Sequence, residues 1–124
     1  MTGDAHRADP RRGIGAAGEA AAASWYRAAG YEILDLNWRV REGELDLVVR
    51  RGATIVFCEV KTRSSNRFGA PVEAVTLSKQ RRLRTLAMRW LASHPGTHGE
   101  LRFDVASVTP AGATPLVEVT EAAF

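Results

Sequence analysis

Only one cysteine, Cys58, occurs in the 124 residues. A disulfide within the chain is therefore excluded, which fits a reducing, cytoplasmic compartment. No apolar run approaches the ~20 residues of a membrane span, so no membrane partner is expected. The N-terminal stretch lacks the form of a signal peptide. Glu19 interrupts the Gly/Ala-rich segment after Arg12, and "WYRAAGY" follows where a cleavage site would stand. No internal repeat is present, which leaves solenoids aside.

What is there fits one ordinary globular domain. Hydrophobic residues make up 45% of the chain and charged residues 25%, a balance that supports a core without staples. The formal charge is +3. It leans weakly toward polyanionic partners, although the excess of arginine over lysine can also reflect genome base composition.

Residues 1–12 are polar and aperiodic and read as a flexible tail before a single domain over 13–124. "GEAAAASWYRAA" from Gly18 to Ala29 favours a helix ended by Gly30. Tyr31 to about Arg41 reads as extended. A hairpin follows within "ELDLVVRRGATIVFCEVKTR", Glu44 to Arg63, and "SSNRFGAP" reads as a loop. A second helix is expected over Ser78–Ser93, because Leu83, Leu86, Ala87, Trp90 and Leu91 form one stripe at helical spacing. "LRFDVASV" and "LVEVTEA" read as strands. This order of elements predicts an α/β or α+β fold.

The hairpin carries charge where charge is expensive. Side chains alternate faces along a strand. A turn centred on Arg51-Gly52 would set Asp46 opposite Phe57 and Glu44 opposite Glu59. Glu44, Asp46, Glu59 and Lys61 then share one face, and Leu45, Leu47, Val49, Val56, Cys58 and Val60 the other. Two readings fit such a cluster. One is an ion-pair network with Arg39, Arg41 and Arg63. The other is a divalent cation bound by carboxylate oxygens, which suits phosphodiester hydrolysis. The second helix adds Lys79, Arg81, Arg82, Arg84 and Arg89 with no acidic residue. Such a one-signed face fits a phosphate backbone better than plain solvent exposure. The following-strand loop "KTRSSNRFG" contributes Arg63 and Arg67.

Other patterns fail on context. "GIGAAG" follows "RADPRR", which is no strand, so it is no dinucleotide loop. His94 and His98 lie in a Pro/Gly loop, and Cys58 lies on the apolar face, so neither a zinc site nor a thiol nucleophile is expected. Trp25, Trp38 and Trp90 read as core or partial core.

Asp46 followed 13 positions later by Glu59-x-Lys61, after a helix carrying Glu19, resembles the PD-(D/E)XK nuclease superfamily. The closer resemblance is to the YraN family of small bacterial proteins, which are similar to archaeal Holliday junction resolvases. It rests on "GE" at Gly18, "GYEIL" at Gly30, Asn37, "GELDLV" at Gly43, "FCEVKTR" at Phe57, "FGAPVEAV" at Phe68, Lys79 and "RFDV" at Arg102. The sequence departs from the superfamily pattern at Leu45, where a proline is usual. The resemblance implies a restriction-endonuclease-like α/β core, a mixed central sheet flanked by helices. It implies Mg²⁺ or Mn²⁺ held by Asp46, Glu59 and Glu19, with Lys61 and Gln80 completing the catalytic set. It implies DNA, branched DNA included, bound by Arg63, Arg67, Lys79, Arg81, Arg82 and Arg84, and a homodimer. Two alternatives use the same fold: a DNA-binding module that does not cleave, and a protein-interaction adaptor.

Overall fold

The structure, a computed structural model, describes residues 10–63, 75–110 and 112–124. The elements are α1 (Pro10–Ala28), β1 (Glu32–Val40), β2 (Gly43–Arg51), β3 (Thr54–Thr62), α2 (Leu77–Ala92), β4 (Glu100–Thr109) and β5 (Leu116–Thr120). They build a five-stranded sheet in the order β1-β2-β3-β4-β5. All neighbours are antiparallel except β3 and β4, which run parallel. That pair needs a crossover, and α2 supplies it. The result is the expected α/β arrangement of a mixed sheet flanked by helices, in keeping with a nuclease-like core.

Each helix covers one face of the sheet. On the α1 side Ala22, Ala23 and Tyr26 pack on Leu47, Val49, Val56, Cys58, Ala106 and Val108. On the α2 side Leu83, Leu86, Ala87 and Trp90 pack on Val48, Ile55, Phe57, Phe103 and Val105. The α2 stripe is the one its spacing predicts, and Trp90 is fully enclosed while its indole N–H donates to Asp35 at 2.9 Å. Trp25 and Trp38 are half-buried at the margins of the two cores.

The first helix begins eight residues before Gly18. Pro10 opens it, a position where the missing N–H costs nothing. It takes in Pro10–Arg12 of the expected tail and all of "GIGAAG"; the rest of the tail and the expected loop "SSNRFGAP" lie outside the described residues. Gly30 ends the helical turn in the left-handed region, with φ 92°. Thr76 caps α2 by accepting from the Lys79 N–H at 3.2 Å.

A buried polar knot ties these layers together. Asp104 is fully enclosed. It accepts from the Tyr26 hydroxyl at 2.6 Å, from Arg102 twice at 2.9 Å, and from the Ala122 N–H at 3.0 Å. Four donors satisfy a carboxylate that burial alone would expel. "RFDV" thus has a structural account: Arg102 accompanies Asp104 inward and also donates to the Tyr31 hydroxyl at 2.8 Å.

Candidate active site

The hairpin turns through Gly52-Ala53, with Arg51 paired to Thr54. The ladder therefore sits one pair away from the expected register, and Val48 rather than Asp46 faces Phe57. A shift of one pair preserves faces, so Leu47, Val49, Val56 and Cys58 still share the α1 side. Leu45 does not join them; it packs in the α2-side core. The side change falls where Asn37 stands at φ 53°, between the Leu36–Leu47 and Trp38–Leu45 pairs. A left-handed residue there breaks the alternation of the pleat. The regular alternation is broken there, yet Glu44, Asp46 and Glu59 still line one cleft at the hairpin end.

Asp46 occupies this break. The described β2–β3 ladder ends at Leu47–Cys58, and Asp46 Oδ2 then accepts from the Val60 N–H at 2.8 Å. The side chain takes the place of a strand acceptor and is fixed between the two strands. Glu19 reaches it from α1. Gly18 makes this approach possible, because a Cβ there would run into Thr62 Oγ1 on β3. Carboxylate oxygens of Glu19, Glu44 and Asp46 all lie within 4.8 Å of one another. Burial, and then the anions Glu19, Glu59 and Glu44, push the Asp46 carboxyl up from 3.8 to about 7, against the lowering effect of the Val60 N–H.

Glu59 is 9% exposed and takes a different partner, an ion pair with the Lys79 ammonium. Glu44, Asp46, Glu59, Lys79 and Arg82 line one cleft of about 260 Å³ on the α2 side of the hairpin end. Glu44 belongs to the carboxylate cluster although the resemblance does not assign it to the cation. It also pairs with Arg39 at 3.0 Å, so its ion-pair role and its place in the carboxylate cluster coexist.

The remaining expected site residues are dispersed. Lys61 is half-buried on β3, two positions beyond Glu59, with no ion pair among the described residues. Gln80 donates its amide N–H to the Val75 carbonyl at 2.8 Å, which fastens the start of α2. Arg63 lies just beyond β3, with its Nε 3.5 Å from Ser107 Oγ. Arg67 lies outside the described residues. Arg81 and Arg82 are exposed and have no ion pair among the described residues. Arg84 instead stacks over Phe103 and Phe124, at 4.6 and 5.5 Å from the ring centroids, and Arg89 pairs with Glu42 at 2.7 Å. The basic side chains that line the carboxylate cleft are thus Lys79 and Arg82.

The donor set fits a hard divalent cation: oxygen ligands only, from carboxylates close enough to share one ion. Softer metals find nothing here. Cys58 is buried in the α1-side core, its thiol pushed up to about 12 by burial. His94 stacks on Trp90 with centroids 3.9 Å apart, away from the cleft.

Comparison with known proteins places this site inside a broad family. A model of the uncharacterised protein family UPF0102 matches residues 18–108, a span that includes every acidic residue of the cluster. A UPF0102 protein of Frankia casuarinae is 53% identical over 112 residues, covering 90% of this chain and 95% of the relative. One from Beutenbergia cavernae is 57% identical over 102 residues, 81% of this chain and 86% of that protein. One from Nocardia farcinica is 48% identical over 120 residues, 95% and 94% respectively.

Proposed function

Because the chain belongs to the uncharacterised protein family UPF0102, where relatives' names assign no reaction, we propose a function from its own geometry. It is divalent-cation-dependent hydrolysis of phosphodiester bonds in nucleic acid, with DNA, branched DNA included, as substrate. The observation that carries this reading is the convergence of Glu19, Glu44 and Asp46 oxygens within 4.8 Å, beside a helix start that bears only basic charge.

Asp46 and Glu19 would hold Mg²⁺ or Mn²⁺, with Glu59 and Glu44 lining the cleft beside Asp46. Such a cation, when bound, would supply an activated water and stabilisation of the leaving oxygen. Asp46 is well suited to orient such a group, since its other oxygen is fixed by the Val60 N–H. Lys61, half-buried beyond Glu59, supplies positive charge to the phosphate as negative charge develops. Arg81, Arg82 and Lys79 contact backbone phosphates, and they carry affinity without base selectivity. A homodimer would present two such sites to the paired strands of a junction.

A second reading, a nucleic-acid-binding module that does not cut, is favoured by the Glu59–Lys79 ion pair, which engages an expected ligand. One experiment separates the two. Labelled branched and duplex DNA is incubated with Mg²⁺ or Mn²⁺ and wild type, Asp46→Ala or Lys61→Ala. Metal-dependent cutting by wild type that both variants lose supports the hydrolase. Binding without cutting, unchanged by either substitution, supports the module.

A further inference from the structure

We propose that Lys79 withholds Glu59 from the cation until a nucleic-acid phosphate draws the lysine away, so that substrate binding completes the cation site. The inference rests on the hydrolase reading above and deepens it. Lys79 is a positioning residue in this scheme, acting through Glu59.

Three observations converge on it. Glu59 lies in the same cleft as Asp46 and Glu44, yet its carboxylate is engaged by the Lys79 ammonium. The pair is lopsided: Glu59 is 9% exposed and Lys79 45%. The carboxylate is therefore fixed by its surroundings, while the lysine is free to swing into solvent. Finally, Lys79 sits in the first turn of α2, three residues after the Thr76 cap, and no acidic residue accompanies it. A cation there opposes the helix dipole. The same turn attracts an anion, through the dipole and through Arg81 and Arg82 beside it. A backbone phosphate arriving at this turn competes with Glu59 for one ammonium. When the phosphate takes the lysine, Glu59 is left as a mostly buried carboxylate with no other ion pair among the described residues, and a divalent cation would supply the counter-charge. Phosphate and cation binding then reinforce each other, and by linkage the effect is reciprocal.

The test measures Mn²⁺ affinity by the loss of the free-ion EPR signal, at constant ionic strength, for wild type, Lys79→Met and Arg82→Met. Arg82 lines the same cleft but holds no carboxylate among the described residues, so its substitution removes an equal charge without releasing Glu59. Lys79→Met should bind Mn²⁺ about tenfold more tightly than wild type, the equivalent of one charge-assisted hydrogen bond. Arg82→Met should change it by about twofold or less, as expected for screened charge. Mn²⁺ should also tighten wild-type binding of a fluorescent DNA duplex, and that gain should shrink in Lys79→Met. Equal Mn²⁺ affinity in wild type and Lys79→Met, or equal gains in both variants, overturns the inference and leaves the hydrolase standing. No Mn²⁺ binding by any of the three overturns both.

Discussion

Asp46→Asn isolates the electrostatic cost of the cluster. The Asp46 carboxyl is raised from 3.8 to about 7 by burial and by its anionic neighbours. The folded protein therefore holds this proton more tightly than the unfolded chain does. Stability from this group is complete below pH ~4, declines as pH rises to ~7, and is level above that. At ~1.4 kcal/mol per pH unit the rise corresponds to about 4 kcal/mol. Asp46 is only half-buried, so solvent screening brings the expected effect to ~1–3 kcal/mol. Asparagine mimics the protonated acid and keeps an oxygen for the Val60 N–H. In the presence of EDTA, urea unfolding at pH 4, 6 and 8 should show the variant equal to wild type at pH 4 and more stable at pH 8. The quantity to read is the difference between the two proteins, which removes all other titrating groups. A variant less stable than wild type at pH 8, or a difference that does not change with pH, would refute the account of a crowded carboxylate.

Three further outcomes follow from the same geometry. Mg²⁺ or Mn²⁺ should raise the wild-type melting temperature more at pH 8 than at pH 5, because the ligands bind as carboxylates, and calorimetry of Asp46→Asn should show the gain lost. Gly18→Ala should cost about 1–3 kcal/mol in urea unfolding through its collision with Thr62 Oγ1, and adding Thr62→Ala should restore part of it. Cys58, enclosed in the α1-side core with its thiol raised to about 12, should resist a thiol reagent at pH 8 until denaturant is added.

The fold was largely legible from periodicity. The α2 stripe, the Thr54–Thr62 strand and the strand containing "RFDV" announce themselves through spacing and β-branched content. The site was legible in composition but not in arrangement. Asp46, Glu59 and Glu19 stand out as charge in apolar surroundings, yet their grouping depends on two backbone details. One is the Gly52-Ala53 turn, where Arg51-Gly52 looked equally suitable; a glycine marks a turn without stating which neighbour shares it. The other lies beside the left-handed Asn37, where Leu45 and Leu47 go to opposite cores although strand alternation puts them together. The ion pair of Glu59 with Lys79 joins residues 20 positions apart on different elements, and only tertiary packing can reveal it. The α1 boundary was hidden because Pro10, Gly13, Gly15 and Gly18 look like a breaker-rich segment.

The parallel pairing of β3 with β4 has a consequence for the nascent chain. β1, β2 and β3 are joined by tight turns and can zip together as soon as they are synthesised. The outer edge of β3 then waits for α2 and for Glu100–Val108, which pair with it residue by residue from Thr54 to Thr62. During that interval "TIVFCEV" is an apolar strand with an open row of backbone donors and acceptors, the form most prone to join another chain. Glu59 and Lys61 stand at the far end of that same edge and act as charged gatekeepers while it is bare. Neutralising them for mechanistic work should lower the yield of soluble protein from synthesis even where the finished fold tolerates the change.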